Sequence, residues 1–444
     1  MSTIFDAAYV TALTVGSPYF LPKLLLSNRF RTGLAQRLGR IGNREEKRPC
    51  IWIHCASVGE VITVKTLVNS LEKEFNNWDV VISTNTTTGQ GVARRYFPKK
   101  NIFYFPLDLS WVVERSLDAI RPDCVILAEL EIWPNFLMAL ARRRVPVALL
   151  NARISEKSMK WYRVLNKISH GFFESLTKKE NVFCARTKAD AARLKAIGIA
   201  DEQISVTGNM KYDNIVTTVL EDTKTRLLHL FGIKKEEKIF VCGSTHEGEE
   251  AIILRIFKRI SSQYPNLRLV LAPRHIERSN EVIRLIESLE LKVLRKTLLD
   301  KGLLPVSAEG QGRLPNEMVI LIDTLGELQT IYSIADYVFV GKSLVPQGGQ
   351  NMMEPAGLAK PVIVGPHTFN FHEEVPLLRN ANAIKVVQDE TSFFDSLTHL
   401  LEHRDEALEM GKRAQLVVEE QRGATERNLK VLRKTLLKER IVSV

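Results

Sequence analysis

The ten residues Ile51-Trp52-Ile53-His54-Cys55-Ala56-Ser57-Val58-Gly59-Glu60 decide the fold. A short apolar run ends at Cys55. Ser57 and Gly59 then suit a tight turn, and Glu60 falls in the first turn of the helix that follows. An apolar run of this kind is a strand buried on both faces, as in a parallel sheet covered by helices. The pattern repeats outward: Val80–Ser83, Ile102–Phe105, Cys124–Ala128, Val147–Leu150 and Ile204–Thr207 read as strands between amphipathic stretches. A second series follows at Ile239–Cys242, Leu267–Ala272, Val293–Leu294, Met318–Ile322, Tyr337–Val340, Val362–Val364 and Ile384–Val387. From about Thr391 the chain is helical by pattern and highly charged. Strand–helix alternation gives an α/β fold with parallel sheets.

The polar stretch Asn209–Asp222 separates two series of similar length. The expected architecture is two doubly wound domains facing each other across a cleft. A chain of 444 residues and 50.4 kDa is long enough for two such cores. The boundaries expected are an N-terminal apolar and basic segment at 1–48, a first domain at 49–213, a linker at 214–222, and a second domain at 223–444 carrying the C-terminal helices. Hydrophobic residues at 45% and charged residues at 25% exclude a disordered chain. The five cysteines are scattered and no CxxC pair occurs, which argues against a zinc site or a disulfide framework.

The net charge is +11, which favours an anionic partner. Lys23, Arg29, Arg31, Arg37, Arg40, Arg44, Lys47 and Arg48 stand against Glu45 and Glu46, so a surplus of six lies in one short segment. It follows an apolar start, Ile4 to Leu26, interrupted by Asp6, Pro18, Pro22 and Lys23. This order reads as a segment lying on an anionic membrane surface rather than a spanning helix or signal peptide. The alternative is a basic helix packed on its own domain. Nucleic acid is disfavoured, because no RNA-recognition signature or aromatic–basic patch is present.

In doubly wound sheets ligands bind beyond the carboxyl ends of the strands. After the first strand stands Glu60, either a complement to the helix dipole or a general base. Thr84-Asn85-Thr86-Thr87-Thr88-Gly89 either holds an anion or sugar or simply caps a helix. Glu129-Leu130-Glu131 puts two carboxylates at a strand end beside Trp133, with one of them expected in the cleft. Lys211 is either a cation for developing negative charge or a solvated linker lysine. In the second half, Gly243-Ser244-Thr245-His246 opens a helix and suits phosphate. The following Glu247, Glu249 and Glu250 read as dipole complements. Arg274 can grip a phosphate. Gly348 and Gly349 permit close backbone approach, and Glu354 can accept from ribose hydroxyls. No GxGxxG or Walker A sequence occurs, which weighs against NAD and ATP. No Asp/His cluster has metal-ligand spacing. The second half therefore reads as a nucleotide mono- or diphosphate site without a metal or cofactor.

These strings together resemble one family. ASVGE (56–60), TNTTTG (84–89), AELEIWPN (128–135), NARIS (151–155), GNMKYD (208–213), GSTHEGEE (243–250), APRH (272–275), DTLGEL (323–328), GGQNMMEP (348–355) and GPHTFNF (365–371) occur in family order. The chain resembles the 3-deoxy-D-manno-octulosonic acid (Kdo) transferases, lipid A-modifying glycosyltransferases of GT-B fold. The resemblance implies CMP-Kdo as donor, a tetra-acylated lipid A precursor as acceptor, an inverting reaction without metal, and a place at the cytoplasmic face of the inner membrane. It implies Glu60 as general base, with Glu129 and Lys211 stabilising the transition state. It implies CMP contacts at Pro273, Arg274, Gly326, Glu327, Leu328, Asn351, Met352, Met353 and Glu354. Two positions depart from the family: Gln350 stands where His is usual, and Lys342 where Gly is frequent. The competing enzyme reading is a GT-B transferase with another acceptor, or a nucleotide-sugar epimerase.

Overall fold

The computed structural model describes residues 5–12, 14–16, 31–45, 48–154, 158–159, 174–303 and 317–434. The chain divides into two compact units. One comprises 1–214 with 421–444, the other 215–420.

The first unit is built on seven parallel strands: β1 (Cys50–Cys55), β2 (Asp79–Thr84), β3 (Asn101–Tyr104), β4 (Cys124–Leu127), β5 (Val147–Ala152), β6 (Val182–Ala185) and β7 (Ile204–Val206). Their spatial order is β3-β2-β1-β4-β5-β6-β7. β1 lies between β2 and β4, in register Ile51 with Val80 and with Cys124. Alternate residues feed two cores. Trp52, Val125 and Leu149 face one side, where Trp52 packs edge-on against Phe103 and Phe136 at 5.2 and 5.1 Å. Ile51, Ile53 and Ile126 face the other. Helices cover both faces because both faces are apolar.

The second unit repeats the plan with β8 (Lys238–Thr245), β9 (Leu267–Pro273), β10 (Lys292–Arg295), β11 (Met318–Leu321), β12 (Tyr337–Val340), β13 (Val362–Val364) and β14 (Ile384–Val386). The order is β10-β11-β9-β8-β12-β13-β14, again all parallel. In each sheet the winding reverses once, between β1 and β4 and between β8 and β12. Right-handed crossovers then leave the loops on either side of that point free to receive a ligand.

Thirteen of the fourteen strands are legible as apolar runs in the sequence. β6 is the addition. It is only four residues long, and Asn181 ties it in by accepting from Val147 N at 3.0 Å and donating to the carbonyls of Ser175 and Leu176.

The C-terminal helices do not all belong to the second unit. The helix Ala424–Leu432 returns to the first, where Ala424, Leu429 and Leu432 join the core of Ile51 and Val68. Asp213 accepts from Gly423 N and Thr425 N at 2.6 and 2.5 Å, and Arg427 Nε donates to Thr207 O at 2.7 Å. The sequence pattern reads as helical and highly charged, and the expected boundary at 223–444 places this helix in the second domain; its apolar residues cover the first sheet instead.

Much of the N-terminal segment, including 17–30 with Lys23 and Arg29, and also Lys47, lies outside the described residues. Among those described, no helix is long and apolar enough to cross a membrane. Residues 5–12 are helical, and Asp6 accepts from Ser110 N at 2.8 Å and from Asn135 Nδ2 at 3.0 Å. Val10 and Val15 stay exposed. Arg37 donates to Asn85 O at 2.5 Å and lies over the Tyr104 ring, and Arg44 pairs with Asp79 at 2.7 Å. These two arginines hold the basic segment on its own unit. Arg31 and Arg40 are exposed.

Candidate active site

At the first switch point, the turn after β1 runs into the helix Val58–Thr63. Ser57 is its N-cap, accepting from Glu60 N. Glu60 answers by accepting from Ala56 N at 2.8 Å and from Ser57 Oγ at 2.9 Å. This reciprocal cap is what the Ser-x-x-Glu spacing provides. A carboxylate so placed is ordinarily stabilised in its charged form. Here burial pushes Glu60 up to about 7; the Ala56 and Ser57 donors oppose the shift, while Glu129 and Glu131 add to it. Glu60 is only 8% exposed. The cap and the titrating acid are one side chain.

The loop after β4 supplies the two neighbouring acids. Ala128 N donates to His54 O at 3.0 Å, which pins this loop to β1. Burial raises Glu129, Arg186 opposes the rise, Glu131 adds to it, and Arg153 and Lys211 also oppose it. Glu60, Glu129 and Lys211, the three candidates of this half, therefore share one electrostatic neighbourhood. Lys211 sits in the short helix Met210–Asn214, which is tied to β5 by Met210 N donating to Asn151 Oδ1 at 3.1 Å.

Glu131 behaves oppositely to its neighbours. Burial works against its charge, but hydrogen bonds from His54 Nε2 at 2.9 Å and Trp133 Nε1 at 3.1 Å hold it below the usual carboxylate range. His54 is 1% exposed, stacked on Phe105 at 4.0 Å, with Nδ1 2.9 Å from Ser83 Oγ.

Sequence reasoning misses His54, which sits inside an apolar strand and reads as core. It misses Arg186 because it misses β6, whose end carries that residue. The threonine run resolves to a helix cap at Thr86, which accepts from Gly89 N at 3.0 Å.

At the second switch point, loops after β8, β9, β11 and β12 gather. Glu249 and Glu250 are not simple dipole complements. The fully buried Glu249 accepts from Lys342 N, Ser343 N and Leu344 N at 2.6, 2.8 and 2.8 Å and from His246 N at 2.9 Å, clamping the loop after β12 to the one after β8. Glu250 accepts from Thr245 Oγ1 and Arg278 Nη1, each at 3.2 Å. Lys342 adopts φ 60°, a left-handed backbone. Gly348 and Gly349, at φ 94° and 80°, turn the chain so that Gly349 N donates to Lys342 O at 2.6 Å. Such angles strain any residue with a Cβ.

Glu354 accepts from Asn351 Nδ2 at 3.0 Å; burial raises it, opposed by that bond and by the charge of Arg274. Arg274 is exposed, and its N–H donates to Thr245 O. Pro273 closes β9, buried. Met352 and Met353 are buried core residues, and Met353 N donates to Asn351 Oδ1 at 3.2 Å, so this turn is closed on itself. Gly326, at φ 86°, has open space where a Cβ would stand. Glu327 is bound to Thr324 Oγ1 and to Lys296 Nζ at 2.9 Å, and Leu328 begins the helix Leu328–Tyr332. The two switch points thus present a cluster of acids edged by cations and a set of backbone turns beside Arg274 and Glu354. Among the described residues, no three His, Cys, Asp or Glu side chains converge to hold a metal.

Residues 32–214 match the family model described as 3-deoxy-D-manno-octulosonic-acid transferase. The 3-deoxy-D-manno-octulosonic acid transferase of Haemophilus influenzae is 33% identical over 96% of this chain and 97% of its own length. That of Bordetella pertussis is 30% identical over 89% and 90%. Among solved structures, the UDP-GlcNAc 2-epimerase of Neisseria meningitidis bound to UDP-GlcNAc superposes with a TM-score of 0.56 at 16% identity, covering 88% of this chain and all of that one. A glycosyltransferase from Rickettsia africae gives 0.52 at 14% identity, over 88% and 99%. The two structural likenesses show the shared GT-B fold.

Proposed function

The chain belongs to the 3-deoxy-D-manno-octulosonic acid transferase family, glycosyltransferases of lipopolysaccharide biosynthesis, and from that premise we propose that it moves Kdo from CMP-Kdo to a tetra-acylated lipid A precursor with Glu60 as general base. The assignment of the base is carried by the placement of Glu60, a buried carboxylate in the turn after β1 beside Glu129 and Glu131, where burial pushes it up to about 7. A base with that pKa is half ionised at neutral pH and basic enough to take a proton from a hydroxyl as it attacks.

The reaction balances in one displacement. The acceptor hydroxyl oxygen bonds to the anomeric carbon of Kdo from the face opposite CMP. Its proton passes to Glu60. The bond from that carbon to the phosphate oxygen breaks, and the electron pair leaves on CMP. Attack from the opposite face inverts the anomeric centre. Lys211, with Glu129 beside it, compensates charge that develops on the acceptor side. Arg274, together with the N–H groups at Gly326–Leu328, receives the single phosphate, the turn Asn351–Met353 backs the site, and Glu354 accepts from ribose hydroxyls. One phosphate needs less compensation than two, which favours transfer without a metal. The enzyme would meet its lipid acceptor at the cytoplasmic face of the inner membrane, with the exposed Val10, Val15, Arg31 and Arg40 against anionic headgroups.

Incubation with CMP-Kdo and the tetra-acylated precursor, read by mass spectrometry, should show addition of Kdo. Glu60→Ala should retain CMP-Kdo binding and lose at least ~10²-fold in rate. Transfer that survives Glu60→Ala would remove the base assignment. Turnover of a UDP-sugar without lipid would favour the epimerase reading instead.

A further inference from the structure

Glu131 is the acid that this mechanism leaves unused. Its two oxygens are unequal. Oε2 takes both donors, His54 Nε2 and Trp133 Nε1. Among the described residues none donates to Oε1, and the side chain is 27% exposed.

The donors behind Oε2 form a chain. Indole Nε1 can only donate, and Trp52 Nε1 donates to Ser83 Oγ at 2.7 Å. Ser83 Oγ lies 2.9 Å from His54 Nδ1. A carboxylate can only accept, so the proton between His54 and Glu131 sits on Nε2 and points at Glu131. Stacking on Phe105 and burial hold the ring in place.

We propose that Trp52, Ser83 and His54 form a positioning relay that fixes Glu131 in one orientation, so that its Oε1 accepts a hydrogen bond from a hydroxyl of the acceptor saccharide beside Glu60. His54 is the positioning residue and Glu131 the one that touches substrate. The proposal rests on the reading of this unit as the acceptor half. It separates the two acids of one short loop: Glu129 faces Arg153, Arg186 and Lys211, whereas Glu131 is anchored from beneath.

Glu131 also belongs to the charge environment of the base. The groups facing Glu60 are Ala56 N–H and Ser57 Oγ from its own turn, and Glu129 and Glu131 from the loop after β4. From β1 it faces the Cys55 thiol, which burial holds neutral. The helix Met210–Asn214 packs on the Glu60 helix and brings Lys211. The helix Thr87–Tyr96 brings uncharged Gly89 against Ser57. Removing the Glu131 charge should therefore make Glu60 a weaker base.

Two experiments test the relay. The first needs no substrate. In ¹⁵N-histidine NMR of the full chain, one imidazole should carry a proton on Nε2 that is protected from exchange, and its signals should vanish in His54→Gln. A His54 protonated at Nδ1 alone overturns the relay. The second is steady-state kinetics of Glu131→Gln, whose carbonyl oxygen still accepts from His54 and Trp133. KM for the lipid acceptor should rise roughly tenfold or more, since a bond to a charged group is lost. KM for CMP-Kdo should stay within about twofold, and the acidic limb of kcat/KM should move down by roughly half a pH unit. His54→Phe, which keeps the stacking, should show the same split. His54→Gln, which can still donate to Glu131, should recover part of it. An unchanged acceptor KM, or equal changes in both, overturns the proposal. A chain that transfers no Kdo would overturn the functional reading, and the histidine spectrum would still decide the relay.

Discussion

A carboxylate that closes a helix N-terminus is held low by the donors it accepts, yet Glu60 titrates near 7 because burial outweighs Ala56 N–H and Ser57 Oγ. The rate consequence has a definite sign. The base must be ionised, so kcat/KM should rise about tenfold per pH unit below 7 and level off above it. The stability consequence runs the other way. A carboxyl whose folded pKa exceeds its unfolded value stabilises the fold below the unfolded value, near 4.5, and that contribution is lost as pH rises through about 7. Glu60→Gln should therefore gain in melting temperature relative to the parent at pH 8 compared with pH 5, by a linkage of at most about 3 kcal/mol. A difference independent of pH would contradict the raised pKa. On the donor side, Gly348→Ala places a Cβ in left-handed backbone and into the Asn370 side chain. It should cost about 1–3 kcal/mol and weaken CMP-Kdo binding in calorimetry. Glu60 is visible in sequence because it follows a strand; its pKa is not, because burial comes from the tertiary fold. His54 is invisible for a related reason: a histidine amid Ile and Trp gives no sign that both its nitrogens are engaged.

At the scale of elements, strands buried on both faces announce themselves as Val/Ile runs, which is why the two sheets are legible. β6 is the instructive omission. Its place is set by side-chain bonds of Asn181 rather than by its own pattern. Losing the strand loses the cation at its end. The helix Ala424–Leu432 shows the opposite limit, an evident helical pattern with an unpredictable partner. Its start is held by Asp213, so Asp213→Ala should lower the stability of the first unit by about 1 kcal/mol. Hydrogen exchange should report it as loss of protection confined mainly to 424–432. Unchanged exchange there would mean that apolar packing alone holds the helix.

At the scale of the whole molecule, the charge surplus is less uniform in purpose than its sum suggests. Arg37 and Arg44 are engaged with the first unit, and Arg31 and Arg40 are exposed. Replacing Arg31 and Arg40 with Gln should weaken binding to anionic vesicles by about 1 kcal/mol per charge, while neutral vesicles show no difference. Equal loss on both vesicle types would assign the attachment to apolar contact instead. The order in which the chain lays down its units has a further effect. Val68 and Leu71 share a core with Leu429 and Leu432, and Arg433 pairs with Glu74 across 359 positions of sequence. During synthesis the ribosome must make all of the second unit before the first can be sealed. For that interval an apolar stripe on a nearly finished sheet stands open to water, an invitation to chaperones and a hazard at high expression. A premature stop after residue 420 would make that interval permanent, leaving a second unit able to fold and a first one that aggregates.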